Sequence, residues 1–357
     1  MNNRILAINP GSTSTKIAVF DGDSQLFVKN IKHTVEELSP FQHITDQYTF
    51  RNQVILEELA NNQIDLNSIN IVIGRGGLVK PIPSGVYEIN DLMLEHLKMG
   101  YSGEHASNLG GIIAHSLSQK IGLEHAYIAD PVVVDELSDL ARISGHPKFE
   151  RISIFHALNQ KAIARTFAKE QNKKYEDLNL IVAHMGGGIS VGSHKKGKVV
   201  EVNQALDGDG PFSPERSGTL PMNQVIKACF SGEYTCEEMK KMIVGKGGYM
   251  AYFGHSDAIV VEKAVAAGDE KATLIENAMA YQVAKEIGSA AAVLQGEIDA
   301  ILLTGGLAYG KTFVIQIKSY VQWIAPIKVY PGEDEMSALA MNALMILKKE
   351  VTASQYR

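Results

Sequence analysis

Short blocks of apolar residues follow one another along the whole chain, and they switch between a period of two and a period near 3.6. Residues 4–8 (RILAI) form a compact apolar run closed by Asn9-Pro10-Gly11-Ser12, a strand running into a turn. Thr15 to Phe20 alternates as a second strand, and Asp21-Gly22-Asp23 turns the chain into a third at 25–31. A helical period over 50–61 precedes a buried strand at 69–73 that empties into Gly74-Arg75-Gly76-Gly77. Helical patterns at 91–99 and 104–121 lead to a strand at 126–129 ending in Asp130-Pro131.

The same order begins again near residue 179, about 175 residues after its first appearance. An apolar run at 180–183 meets the turn His184-Met185-Gly186-Gly187-Gly188, and Ile189 to Ser193 alternates. Lys195-Lys196-Gly197-Lys198 then turns into Val199 to Val202. Strand, small-residue turn, strand, polar turn, strand therefore occurs twice at domain spacing, which places a boundary near residue 150 without any linker-like composition. Helices are predicted near 221–231, 235–243 and 258–267, and a longer one over 272–295. Its stripe of Ala280, Ala284, Gly288, Ala291 and Ala292 invites a closely packed neighbour. A strand at 300–303, the turn Thr304-Gly305-Gly306, a helix, a strand at 327–330, the loop 331–335 and a helix over 336–349 complete an α/β alternation.

Length and composition narrow the class. At 357 residues the chain suits two domains, and 45% apolar with 21% charged residues is the balance of a globular protein. Basic residues number 34 and acidic residues 40, a formal charge of −6, so neither a nucleic acid nor an anionic membrane is expected as partner. The opening segment is too short in apolar residues for a signal peptide, and no later run approaches the roughly 20 residues of a bilayer span. A cytoplasmic protein is expected. Cys229 and Cys236 suit a reducing compartment and read as packed thiols.

Three segments carry candidate chemistry. In Asn9-Pro10-Gly11-Ser12-Thr13-Ser14-Thr15-Lys16, four consecutive hydroxyl residues between two strands can aim O–H and N–H donors at one anion. Ser12, Ser14 and Lys16 are the candidate phosphate ligands, and Asn9 a ligand for substrate or a metal-bound water. In the second segment, Gly186, Gly187 and Gly188 remove every Cβ beside His184, so backbone could touch a phosphate. The third, Gly305 to Thr312, matches the Walker A pattern G-x-x-x-x-G-K-T. A P-loop, however, belongs after the first strand of a sheet, and too little chain follows for the rest of one. Close approach of Gly305 and Gly306 to a nucleotide is the other use of those glycines. Arg75, amid glycines at a strand end, and Arg216, in the loop 207–218, can each hold carboxylate or phosphate with two hydrogen bonds, or simply pair with a loop acid. His156 sits where an apolar run meets a helix start, a place where a lone histidine is more often structural than catalytic.

Together these segments resemble the acetate and butyrate kinases of the actin, sugar kinase and Hsp70 ATPase superfamily. The first hairpin is similar to the family's N-x-G-S-x-S-x-K, and His184 to Gly188 to its second hairpin. Gly74-Arg75-Gly76-Gly77, Ala129-Asp130, Phe155-His156, Arg216-Ser217-Gly218, Thr304-Gly305-Gly306 and Pro331 to Glu335 follow in the family's order. The three glycines, the chain length and Gly77, where acetate kinases carry a branched residue, point toward the butyrate kinases, with Gly77 and Phe155 lining a larger acyl pocket.

The resemblance implies two duplicated actin-like (ribonuclease H-like) α/β domains with an interdomain nucleotide cleft. The first would hold residues 1–150 with 336–357, its last helix returning to it, and the second residues 151–335. It implies reversible phosphoryl transfer between ATP and a short-chain fatty acid, giving acyl phosphate and ADP. Butanoate is the expected acid; a branched acid, acetate or propanoate, or a non-catalytic ATP-binding protein, are the alternatives. Arg75 would hold the carboxylate, Arg216 and His156 the transferring phosphoryl group, and Asn9, Asp130 and Glu335 a Mg²⁺ ion, with Glu333 or Asp334 as alternatives to Glu335. A homodimer or larger homo-oligomer is implied as well.

Overall fold

The apolar run at the N-terminus becomes β1 (Arg4–Pro10), and the hydroxyl segment bends the chain back into β2 (Ser14–Asp21) and β3 (Ser24–Lys32) in the computed structural model, which describes residues 3–357. β4 (Ile71–Arg75) and β6 (Tyr127–Ala129) run parallel to β1, and β5 (Val86–Glu88) pairs antiparallel with β6. The sheet order is Ser354–Gln355, β5, β6, β4, β1, β2, β3. Residues Leu6 and Ile8 face a core with Val72, Leu109, Ile113 and Leu117, while the alternate positions Ile5 and Ala7 are also fully buried. Both faces of the parallel strands are therefore covered, which is why they read as continuous apolar runs. The Asn108–Lys120 helix lies against β4 so closely that a Cβ on Gly74 would stand 2.1 Å from the Gly110 carbonyl oxygen.

The second half repeats the plan. β7 (Asn179–Met185), β8 (Ile189–Lys195), β9 (Lys198–Val202), β10 (Ala300–Gly305) and β11 (Ile327–Pro331) form a sheet of order β11-β10-β7-β8-β9. This is the succession β6-β4-β1-β2-β3 over again, with β11, β10 and β7 parallel and β8 and β9 antiparallel. Ile181, Ala183, Ile301 and Leu303 bury against the Glu270–Val293 helix, and Leu180, Val182, Ala300 and Leu302 against the Ala157–Glu170 helix.

By packing, the chain divides into two units, one running to Val134 and resuming over Asp334–Arg357, the other Asp135–Glu333. Residues 135–150, which the duplicated pattern assigns to the first domain, pack instead with the second. The Ser138 N–H donates to the Val200 carbonyl (2.9 Å), and Glu136 takes the fully buried Lys161 ammonium at 2.6 Å. The Glu335–Leu347 helix packs its Met336, Leu339 and Ala343 face in the first unit, against β1 and β4.

Two expectations change. Along the Glu270–Val293 helix the buried face is Ile275, Met279, Val283, Ile287 and Ala290, and nothing comes within 4 Å of where a Cβ on Gly288 would stand. The small-residue stripe therefore packs at Ala280 and Ala284, and partly at Ala291, but not at Gly288. Cys229 and Cys236 are exposed rather than packed, because the helices that carry them (Met222–Cys229 and Cys236–Ile243) bury almost nothing. Among the described residues, no helix is long and apolar enough to cross a membrane.

Candidate active site

In the first unit the chemistry gathers at the C-terminal ends of the parallel strands, the usual ligand edge of such sheets. Asn9, the next-to-last residue of β1, faces Lys16 across the β1–β2 register, so the two side chains share one side of the hairpin. Arg75 ends β4, and its guanidinium bonds the Asn9 amide oxygen (3.3 Å) and pairs with Glu335 at 2.8 Å. The Asn9 amide N–H also donates to Glu335. Asp130, one residue past β6, is buried in a left-handed conformation (φ 38°) that only a built environment sustains in a non-glycine residue. Its carboxylate accepts from the Ser84 hydroxyl at 2.6 Å and the Gly85 N–H at 2.9 Å.

The hairpin between β1 and β2 owes its shape to a residue that sequence reading passed over. Arg51, in the Tyr48–Asn61 helix, is 1% exposed and donates to the carbonyl oxygens of Gly11 (2.8 Å), Ser14 (2.8 Å) and Ser12 (3.1 Å) and to the Thr15 hydroxyl (3.0 Å). Gln47 takes its remaining donors. No carboxylate pairs with Arg51 among the described residues, and burial pulls its pKa down to about 10, so the cation persists at neutral pH. Thr15 also meets His33 Nε2 at 2.8 Å, and burial, with Arg51 nearby, holds His33 below the ordinary histidine range. A positive charge thus lies directly beneath the hydroxyl hairpin, whose carbonyls face inward while Ser12 and Thr13 stand exposed at the tip.

In the second unit the β7–β8 register sets His184 opposite Ser190, and His156, at the start of the Ala157–Glu170 helix, meets both. The His156 ring stacks on His184 (centroids 3.8 Å, 14° apart), and its Nδ1 lies 2.9 Å from the Ser190 hydroxyl. His184 bonds the Asn159 amide oxygen through Nδ1 (2.8 Å) and faces Glu333 at 3.4 Å through Nε2.

Each glycine of the triplet borders a different group. A Cβ on Gly186 would stand 3.1 Å from His184 Nε2, and one on Gly187 3.5 Å from the Glu215 carboxylate. One on Gly188 would fall 1.9 Å from an Arg216 nitrogen. The Arg216 guanidinium therefore occupies the space beside Gly188 that a side chain would fill. Arg216 donates to the Ala205 carbonyl, and burial lowers its pKa, partly offset by Glu215 and Asp207. Ser213 braces the hairpin by donating to the Gly187 carbonyl (2.6 Å).

Gly305 (φ 91°) lies where a Cβ would clash with the Met185 backbone, and it exchanges both hydrogen bonds with Gly332 (3.0 and 2.9 Å). Gly306 is open, with nothing within 4 Å of its missing Cβ.

Gly77 does not fit the expected acyl pocket. A Cβ there would lie 2.6 Å from the Asn108 backbone and from Leu97, so the glycine admits the Asn108–Lys120 helix and leaves no room for a longer acid. Phe155 is buried immediately before His156.

The three consecutive acids separate cleanly. Glu333 faces His184, Asp334 caps the Glu335–Leu347 helix through the Ser337 N–H (3.0 Å), and Glu335 joins Arg75 and Asn9. No group of three or more His, Cys, Asp or Glu side chains able to hold a metal by themselves occurs among the described residues. Asn9 and Glu335 in contact, with Asp130 at the same sheet edge just past β6, two strands along from β1, are hard oxygen donors of the number Mg²⁺ takes from protein when phosphates and waters complete its shell. The donor set fits.

The model of the Acetokinase family matches residues 151–321. The fold is similar to that of Porphyromonas gingivalis acetate kinase (TM-score 0.78, 18% identity, 97% of this chain and 100% of that one). A propionate kinase from Francisella tularensis gives 0.73 at 20% identity, covering 95% and 98%. Entamoeba histolytica acetate kinase gives 0.72 at 16%, covering 98% and 99%. The chain therefore has the two-sheet, actin-like α/β fold of the acetate kinases, and its residues 151–321 carry the family's sequence pattern.

Proposed function

We propose that this protein is a carboxylate kinase that transfers a phosphoryl group reversibly between ATP and a short-chain fatty acid, forming an acyl phosphate and ADP. The observation that carries the reading is the convergence of Arg216, His156 and His184 on a glycine hairpin, in a unit whose pattern matches the Acetokinase family.

A carboxylate is already ionised near neutral pH, so the reaction needs no general base. It needs charge cancellation while one anion approaches another in line. Arg75 holds the acid's carboxylate. One of its oxygens attacks the γ-phosphorus as the bond to the β-phosphate oxygen breaks, and ADP leaves. Arg216 and His156 take the charge on the equatorial oxygens of the group in transfer. Lys16 with Ser12 and Ser14 binds phosphate over the buried Arg51, Gly187 supplies its backbone N–H from a turn that the Gly186 N–H closes on the Gly188 carbonyl (3.0 Å), and Gly305 and Gly306 let the nucleoside approach. Asn9, Asp130 and Glu335 would hold a Mg²⁺ ion through oxygen, directly or through water, and the ion would supply positive charge to offset that of the triphosphate.

Butanoate is the acid we propose, on the three-glycine hairpin, since Gly77 no longer argues for it. A homodimer in the cytoplasm is the accompanying proposal, checked by sizing in solution. Incubation with ATP, Mg²⁺, hydroxylamine and acetate, propanoate, butanoate or 2-methylpropanoate tests the reaction. Hydroxamate is expected, most of all from butanoate; none from any acid would leave a nucleotide-binding protein without kinase activity.

A further inference from the structure

Beneath His156 lies a chain of side chains that no role assigned so far uses. β8 presents Ser190, Gly192 and His194 on one face, two residues apart, toward the first turn of the Ala157–Glu170 helix. Gln160 reaches across it. Its Nε2 lies 3.0 Å from the Ser190 carbonyl and 2.8 Å from the Ser190 hydroxyl, and its Oε1 2.9 Å from His194 Nε2. His194 Nδ1 lies 2.7 Å from the Tyr175 hydroxyl. Gly192 makes the room, since a Cβ there would fall 2.4 Å from Gln160 Oε1.

The direction of every proton in this chain follows from one carbonyl. The Ser190 carbonyl can only accept, so the Gln160 atom facing it is the NH₂ group, and the amide orientation is fixed. Its other N–H then donates to the Ser190 hydroxyl, and Oε1 must accept from His194. His194 is fully buried, and burial with Lys161 nearby holds it well below the ordinary histidine range, so it is neutral and carries one proton. That proton is on Nε2, which leaves Nδ1 to accept from Tyr175.

The Ser190 oxygen meanwhile receives Gln160 Nε2 on one lone pair and the His156 backbone N–H (3.4 Å) on the other. Its single proton has one remaining acceptor, His156 Nδ1. We infer that the chain Tyr175–His194–Gln160–Ser190 fixes His156 as the Nε2–H tautomer, so that the ring offers a hydrogen-bond donor, not a base, to whatever it meets through Nε2. The inference deepens the kinase reading and rests on it for its purpose: a developing phosphoryl charge wants a donor already in place, with no tautomer exchange to complete first. Ser190, Gln160 and His194 are positioning residues, since each acts through His156.

The test is the protonation state itself. In protein labelled with ¹⁵N-histidine, long-range ¹H–¹⁵N correlation at neutral pH reads each ring, and a His156→Asn variant identifies the His156 signals. His156 is expected with a pyridine-type Nδ1 and a pyrrole-type Nε2. A pyrrole-type Nδ1 in the wild-type protein overturns the inference, whether or not the protein is a kinase. Ser190→Ala is expected to release both tautomers and to lower kcat about tenfold, the loss of one hydrogen bond, with KM for ATP unchanged. Ser190→Thr, which keeps the hydroxyl, is expected to restore both. An unchanged His156 spectrum in Ser190→Ala overturns the inference as well. The expected tautomer without any hydroxamate formation would sink the kinase reading alone and leave the proton chain standing.

Discussion

At the scale of single residues, glycines were the hardest to interpret from the sequence, because a glycine announces that a Cβ is unwelcome without saying what fills the space. Gly77 reads as room for a substrate and proves to be room for a helix; Gly188 reads as a place for backbone to meet phosphate, and the structure adds that it seats a guanidinium. The second case gives a sharp expectation. Arg216→Ala should lower kcat by about 10²–10³-fold, as removal of a charge-stabilising donor does elsewhere, with circular dichroism unchanged. Gly188→Ala alone should also cut kcat, by forcing the guanidinium aside, yet cost almost nothing further in the Arg216→Ala background. Additive losses in that cycle would separate the two positions.

Glu286 offers a residue-scale test of stability. Burial, then the nearby Asp209 and Glu201, raises its pKa from 4.5 to about 7 against the opposing pull of Arg151 and Lys285. A carboxyl raised on folding contributes its full stability below pH 4.5 and loses it as pH climbs through 7. At pH 8 the ionised group costs about 3 kcal/mol. Glu286→Gln should therefore unfold at higher denaturant than the wild type at pH 8 and at nearly the same denaturant near pH 4.5; equal midpoints at both would remove the argument.

Among elements, the two hairpins were legible because glycine and hydroxyl runs between alternating strands leave few other readings, and both appear as β1–β2 and β7–β8. Their supports were not legible. Arg51 stands in a helical stretch where an arginine reads as a solvated side chain, and only the tertiary fold brings three hairpin carbonyls to it. Arg51→Met should leave those oxygens without donors, at a cost of about 1–3 kcal/mol each where burial persists. A lowered melting temperature and a raised KM for ATP are expected together. Arg51→Lys, which keeps the charge and loses the planar fork, should recover only part of either. A destabilised variant with an unaltered KM would confine Arg51 to folding. The cap of the last helix is a milder case: Asp334→Ala should cost about 1 kcal/mol and loosen Glu335 in the next position.

For the molecule as a whole, the duplicated strand order was readable from periodicity, whereas the return of residues 334–357 to the first unit was not, because no local pattern encodes which sheet a helix packs against. Duplication also bears on the Walker-like segment. β10 is the fourth strand of its sheet to form along the chain and the counterpart of β4, so the loop after it answers to Arg75 in the first unit rather than to the hydroxyl hairpin. Lys311, exposed at the first position of the Lys311–Val321 helix, has no hairpin around it. Lys16 has one, with a buried guanidinium beneath. A ligand that binds only the folded chain stabilises it by about 2.7 kcal/mol at a hundred times its Kd. Mg²⁺ with ADP should therefore raise the melting temperature of the wild type and of Lys311→Ala alike, and that of Lys16→Ala much less. The opposite pattern, with the shift lost at Lys311 and kept at Lys16, would move the phosphates to the Walker-like loop and overturn the roles given to both hairpins.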